Sequence, residues 1–133
     1  MTAETPAAEL CAAADKLRKL TESATPGRWE AEELPPNEHH KHPAHWVKTE
    51  YDDGDGYTTS QVVADCPWRQ ADVDYIAAMH PGIGAALADW LGAAADMAKA
   101  YPEMAHDHDR PACDDYACDL MSRAITLARQ ILA

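Results

Sequence analysis

The apolar positions between residues 71 and 101 predict two helices that meet at a break. Apolar side chains recur at helical spacing up to Met79, and His80-Pro81-Gly82 then interrupts the pattern. Pro81 suits the first position of a new helix, so we expect His80 to be its N-cap. The second helix carries an apolar stripe about five turns long, made of Ile83, Leu87, Trp90, Leu91, Ala94, Met97, Ala98 and Tyr101. We therefore expect Ile83, Leu87 and Trp90 to lie in the main core, against the first and last helices.

The other elements follow from the same kind of pattern. Thr5-Pro6 predicts the start of a helix over residues 5–24, which Thr25-Pro26-Gly27 ends. Alternating and β-branched positions predict strands at about 28–33, 46–51 and 58–64, the last two joined as a hairpin by Asp52–Gly56. Helical spacing predicts the broken pair over 70–101 and a C-terminal helix over 115–132. The expected fold is α+β: a small three-stranded antiparallel sheet packed against an N-terminal helix and a C-terminal set of helices, in one domain over 1–133.

Composition restricts the classes of partner. The formal net charge of −12 over 133 residues argues against nucleic-acid binding and favours a partner with a basic surface. The chain has no apolar run long enough to span a bilayer, and its first ten residues do not have the pattern of a signal peptide. We therefore expect a cytoplasmic protein that does not bind membranes, with its four cysteines reduced and available for packing or metal binding. The sequence does not predict an oligomeric state.

An ordered set of blocks resembles a protein family. Thr25-Pro26-Gly27-x-Trp29 follows the first helix, and Val62-Val63-Ala64-Asp65-Cys66 precedes Ala71-Asp72-x-x-Tyr75-Ile76-Ala77-Ala78-Met79-His80-Pro81. Leu87-Ala88-Asp89-Trp90-Leu91 and a C-terminal block over residues 124–132 complete the set. The set resembles small actinobacterial phage and prophage proteins and, more distantly, the Ead-type early proteins of tailed phages. The resemblance implies a phage origin and an architecture, but no activity. Each block also has a structural explanation, such as helix termination at Pro26-Gly27 or packing of Trp29.

Residues with metal-ligand chemistry occur in two clusters. His39, His40, His42 and His45 lie in a proline-rich segment, which is more typical of an exposed tract than of a metal site. His106, His108, Cys113 and Cys118 form a second set, which we predict to bind zinc. Residues two apart in an extended segment point to the same side, and two imidazoles with two thiolates complete a closed tetrahedral site. This composition favours a structural role for the metal over a catalytic one.

The sequence shows no phosphate-binding glycine loop, nucleophile elbow, HExxH or CxxC motif, and therefore favours a binding protein over an enzyme. The acidic hairpin loop does not have the spacing or the closing Glu of an EF-hand, so we expect a plain turn. The candidate protein-binding residues are Glu30, Glu32, Glu33, Asp52, Asp53 and Asp55. Three hypotheses follow: an accessory phage protein that binds a host or phage protein, such as an anti-defence factor or DNA mimic; a small zinc protein or metal-dependent enzyme centred on residues 106–118; and an assembly subunit.

Overall fold

The computed structural model describes residues 5–39, 41–65, 69–105 and 115–133. Their elements, in order, are α1 (Pro6–Ser23), β1 (Glu30–Leu34), β2 (Ala44–Asp52), β3 (Thr58–Asp65), α2 (Gln70–Ala78), α3 (Pro81–Ala100), a 3-10 turn (Pro102–Ala105) and α4 (Tyr116–Leu132). The three strands form an antiparallel meander in the order β1-β2-β3. The predicted α+β fold is therefore confirmed. None of the helices in the described part is long and apolar enough to cross a membrane.

Local sequence signals explain where the helices begin. The amide of Ala8 donates to Thr5 Oγ1 at 3.1 Å, and the amide of Ala117 donates to Asp115 Oδ1 at 2.9 Å. His80 caps α3 as predicted, since its Nδ1 accepts from the amide of Gly82 at 3.1 Å. In each case a side chain satisfies an amide that the first helical turn leaves without a partner.

The described chain divides into two compact units. The sheet unit comprises the described residues between 22 and 84, and the helical unit comprises those up to 21 and from 85 onwards. That the two units behave as one domain stays a prediction. In the sheet unit, α2 packs against the strands, and Val47, Thr49 and Val73 are fully buried. Among the described residues of this unit, no second element covers the opposite face of the sheet.

The helical unit has a core of small side chains. Its buried cluster joins α1, α3 and α4 and consists of Leu10, Ala13, Ala14, Leu91, Ala95, Ala98, Met121, Ala124, Ile125 and Ala128. Alanine at a helix interface allows the axes to approach near the lower end of the usual range of about 8–10 Å. The Arg129 side chain on α4 joins α1 by donating to Glu9 from Nε at 2.7 Å, and Lys16 on α1 donates to the carbonyl of Ile131 at 2.7 Å.

The predicted core face of α3 is only partly correct: Leu91 and Ala98 are buried as expected, but Ile83, Leu87 and Trp90 do not lie in the core. Trp90 is 42% exposed and Ile83 38% exposed, and Leu87 is only partly buried. The other buried positions of α3 are Ala88 and Ala95, which the predicted stripe did not include. Small side chains fill the interface among α1, α3 and α4, and the bulky ones of α3 lie beside it. Trp90→Ala would consequently cost less than the roughly 3–5 kcal/mol of a fully buried aromatic residue.

The Thr-Pro-Gly-x-Trp block is a packed corner of the sheet unit. The indole Nε1 of Trp29 donates to the carbonyl of Thr25 at 2.9 Å, and the hydroxyl of Thr49 donates to the carbonyl of Pro26 at 2.9 Å. Gly27 has a φ of +96°, and a Cβ there would lie 2.5 Å from Thr49 Oγ1 and 2.7 Å from the carbonyl oxygen of Glu50. Glycine is required here for both its backbone conformation and its close approach to β2.

We expect Gly27→Ala to lower the free energy of unfolding by about 2–4 kcal/mol, since it adds steric overlap to the strain of a positive φ. Gly54→Ala is the matched control, because Gly54 has a φ of +91° and a Cβ added there would meet no atom within 4 Å. Its cost should be the backbone strain alone, about 1 kcal/mol. Urea denaturation of both variants measures the difference. Equal costs would contradict the packed corner.

Candidate protein-binding surfaces

The register of the strands defines an acidic sheet face. Glu30 lies opposite Lys48, and Glu32 lies opposite Trp46. Directly opposed residues point to the same side of a sheet, and alternate residues along a strand do so too. We call the set Glu30, Glu32, Lys48, Glu50 and Asp52 the acidic sheet face. It is the side of the sheet away from the buried Val47 and Thr49.

Only part of the predicted acidic set shares this face. Glu30, Glu32 and Asp52 belong to it, while Glu33 points to the opposite side because it alternates with Glu32 along β1. Asp53 and Asp55 lie in the hairpin loop beyond the strands. Glu50 also belongs to the face, although it was not among the predicted residues, because it alternates with Lys48 and Asp52 on β2. Applying the two-residue period of a strand to the predicted elements would have found Glu50 and excluded Glu33.

Lys48 is surrounded by carboxylates. Its Nζ forms an ion pair with Glu32 at 2.5 Å, and both side chains are about one-third exposed. This hydrogen bond and charge hold the pKa of Glu32 below its ordinary value. The Glu32 carboxylate raises the pKa of Lys48 above its ordinary value, with smaller contributions from Glu50 and Glu30. One ammonium group therefore serves three carboxylates, and the face retains negative charge.

The hairpin loop has the hydrogen bonding of a turn. The amide of Gly54 donates to Asp52 Oδ1 at 2.9 Å, and the amide of Asp55 donates to Asp53 Oδ1 at 3.0 Å. The other oxygen of Asp53 accepts from the hydroxyl of Thr59 at 3.2 Å. Asp52 and Asp53 thus stabilise the loop by bonding locally to the backbone, as Asp side chains commonly do in turns. These contacts support the plain-turn interpretation over a calcium loop.

Charge is distributed unequally between the two units. The described sheet unit has twelve acidic residues, which are Glu22, Glu30, Glu32, Glu33, Glu38, Glu50, Asp52, Asp53, Asp55, Asp65, Asp72 and Asp74. Its four basic residues are Arg28, Lys41, Lys48 and Arg69. The helical unit has eleven acidic residues, which are Glu4, Glu9, Asp15, Asp89, Asp96, Glu103, Asp107, Asp109, Asp114, Asp115 and Asp119. Its seven basic residues are Lys16, Arg18, Lys19, Lys99, Arg110, Arg123 and Arg129. The sheet unit therefore accounts for most of the negative charge.

The helical unit carries a second surface, which the sequence pattern did not predict. A groove of about 280 Å³ runs between α3, the 3-10 turn and α4. Every residue that lines it is apolar: Trp90, Ala93, Ala94, Met97, Met104, Ala117, Leu120, Met121 and Ala124. Met97 is 46% exposed and Leu120 59% exposed. We call this set the apolar groove. Exposed apolar side chains that lie together, unlike scattered ones, are typical of interaction sites.

The structure describes one of the four predicted zinc ligands. Cys118 lies on the buried side of α4 and is 7% exposed, whereas His106, His108 and Cys113 lie outside the described residues. Within residues 5–39, 41–65, 69–105 and 115–133, no three His, Cys, Asp or Glu side chains are grouped so as to hold a metal ion. Of the histidine-rich segment, His45 lies in β2 and His40 is outside the described part. The zinc site stays a prediction.

Comparison of the chain with protein-family models, with curated proteins and with solved structures gave no match. The resemblance to phage proteins therefore stays a prediction as well.

We expect protein purified without chelator or affinity tag to contain about one equivalent of zinc if His106, His108, Cys113 and Cys118 coordinate it. The Cys113→Ser/Cys118→Ser variant should lose the metal, while Cys11→Ser, on the flank of α1, should retain it. Elemental mass spectrometry measures the content. Zinc below about a tenth of an equivalent in the unaltered protein would exclude a site of this structural type.

We expect Lys48→Met to raise the pKa of Glu32, because the substitution removes the ammonium group that stabilises its carboxylate. Because the pKa of the Glu32 carboxyl is lowered in the folded protein, its ion pair stabilises the fold at a pH above the unfolded-state pKa of about 4.3. This contribution is lost as the pH falls through the folded-state pKa, and Lys48→Met should remove it. Titration of the Glu32 side chain by NMR measures the change. Arg69→Met is the control, since Arg69 pairs with Asp72 on α2. An unchanged Glu32 midpoint in Lys48→Met would contradict the pairing.

Proposed function

We propose that this protein acts by binding another protein through its acidic sheet face, and that the partner presents a basic surface. The observation that carries the proposal is the concentration of acidic residues in the sheet unit, twelve against four basic ones among those described. A general solvating charge would not require this asymmetry between two units of one chain. Complementary charge accelerates encounter and selects partners, which suits a binding protein.

The arrangement of the acidic sheet face supports binding over solvation. Glu30 and Glu50 are exposed and form no ion pair with a described basic side chain closer than 4 Å. They flank Lys48, which already pairs with Glu32. Like charges on neighbouring strand positions repel, so this arrangement of carboxylates lowers the stability of the folded protein. Basic groups from a partner would relieve this repulsion, and the paired strands fix the carboxylates in position beforehand.

The partner class follows from charge and from the family resemblance. A protein that itself binds nucleic acid has a basic surface, which an acidic face can occupy in place of phosphates. An accessory phage protein that blocks such a host protein, as an anti-defence or host-takeover factor does, would meet it in the bacterial cytoplasm. The resemblance of the sequence blocks to phage proteins supports this assignment of the partner to a host or phage protein.

The test is affinity capture from an actinobacterial lysate with the immobilised protein, followed by salt elution and mass spectrometry. We expect capture of a basic protein that elutes as the Debye length falls from about 8 Å towards about 3 Å. Glu30→Lys/Glu50→Lys should lower its retention at least about tenfold, since two charges near the partner are reversed. Asp96→Lys/Glu103→Lys is the matched control, with the same change in net charge on the helical unit.

Circular dichroism of both double variants checks that they fold. If reversal at Glu30 and Glu50 impaired folding, Glu30→Gln/Glu50→Gln would replace it, with Asp96→Asn/Glu103→Gln as the control. If the sheet variants and the control variants lost the partner to the same extent, net charge alone would determine binding, and the acidic sheet face would have no specific role. Full retention with the sheet variants would mean that the acidic sheet face only solvates the protein.

A further inference from the structure

Most of the circumference of α3 is apolar, but the helical unit buries only part of it. Its charged residues are Asp89, Asp96 and Lys99, and at 100° per residue they occupy an arc of only about 80°. A helix that is apolar nearly all round is normally covered on most sides. The structure buries Ala88, Leu91, Ala95 and Ala98 and leaves a second apolar arc uncovered.

This uncovered arc continues onto α4. It contains Trp90 and Met97 of α3 and Tyr101 directly after it, which are 42%, 46% and 53% exposed. On α4, Leu120 and Tyr116 lie one helical turn apart and are 59% and 85% exposed. The apolar groove lies between the two helices. The result is one continuous apolar surface with projecting side chains at its edges.

The shape of the surface argues against a small-molecule site. Its volume of about 280 Å³ lies at the lower limit of typical ligand pockets, which are about 300–1,000 Å³. Such pockets also carry a few polar groups that orient the ligand, whereas all nine lining residues here are apolar. An apolar macromolecular surface is the better occupant.

We propose that this occupant is the same surface of a second copy of the chain, packed about a two-fold axis. A two-fold interface must be complementary to itself. The groove meets this condition because its floor contains small residues, Ala94 and Ala124 among them, while Trp90 and Leu120 project beside it. Large side chains of one copy can enter the small-residue positions of the other.

The size of the surface agrees with a second copy as the occupant. The helical unit has eleven acidic and seven basic residues, a net charge of −4 against −8 for the sheet unit, so two helical units repel one another less than two sheet units would. A basic partner would instead be attracted to the sheet unit. The exposed parts of the five large side chains amount to on the order of 500 Å² per copy, and the intervening small residues add to this. A standard interface buries about 800 Å² per partner.

Sedimentation equilibrium of the full chain tests the proposal. We expect the unaltered protein to sediment at twice its chain mass of 14.5 kDa and to dissociate on dilution. The dimer should persist at high salt, since apolar contacts are not screened. Met97→Glu/Leu120→Glu should raise the dissociation constant more than about a hundredfold, because it places carboxylates in the desolvated centre.

Tyr75→Glu/Val62→Glu is the matched control, since Tyr75 and Val62 are exposed by 69% and 42% but belong to the sheet unit. It should leave the dimer intact, and circular dichroism checks the helix content of all variants. If Met97→Glu/Leu120→Glu lost helix content, Met97→Gln/Leu120→Gln would replace it, with the same direction expected.

The inference stands independently of the proposed function. Glu30→Lys/Glu50→Lys should weaken capture of the basic partner without changing the dimer, and Met97→Glu/Leu120→Glu should dissociate the dimer. An unaltered protein that stays monomeric over roughly two decades of concentration overturns the dimer, even if it binds a different apolar protein at the groove. A dimer that survives Met97→Glu/Leu120→Glu overturns its placement at the groove.

Discussion

The small-residue seam of α3 determines the character of the helical unit. Ala88, Ala95 and Ala98 are buried there with Leu91, and the facing helices contribute alanines of their own. Close-packed interiors tolerate little mismatch in volume, so an indole cannot replace an alanine in such a seam without separating the helices. Trp90 is consequently placed beside the seam. The same packing that stabilises the three helices therefore creates the exposed apolar surface from which we infer a second copy.

The elements of the fold were predictable because local chemistry specifies them. Thr5, His80 and Asp115 each accept a hydrogen bond from an amide in the first turn of a helix. Thr and Asp are among the residues preferred at this position, and Pro81 marks the start of α3 after His80. The hairpin between β2 and β3 follows from its Asp-Gly turn. Local structure also accounts for one of the blocks that resemble phage proteins: Trp29 and Gly27 form the packed corner next to β2.

The orientation of α3 was not predictable by the same reasoning. A hydrophobic pattern ranks Trp90 and Met97 above alanine, but the interface with α1 and α4 is formed by small residues of α3 together with Leu91. Which side of α3 faces the other helices depends on all three helices together and leaves no signal in the spacing of one. The acidic sheet face differs in this respect. Which residues of β1 share a face, and which of β2 do, follows from the period of two along each strand. The register of the strands was needed only to show which residues of β1 lie opposite which residues of β2.

The two proposed surfaces use separate kinds of interaction on separate units, and this separation has a consequence for binding. A dimer joined through the apolar groove carries two acidic sheet faces, one from each copy. A partner with two basic sites, or two adjacent copies of a partner, would then meet both faces at a high effective concentration. Charge repulsion between the copies falls off within about 8 Å at physiological ionic strength. Apolar contact in the less acidic helical unit can therefore hold together two chains whose net charge of −12 would otherwise keep them apart.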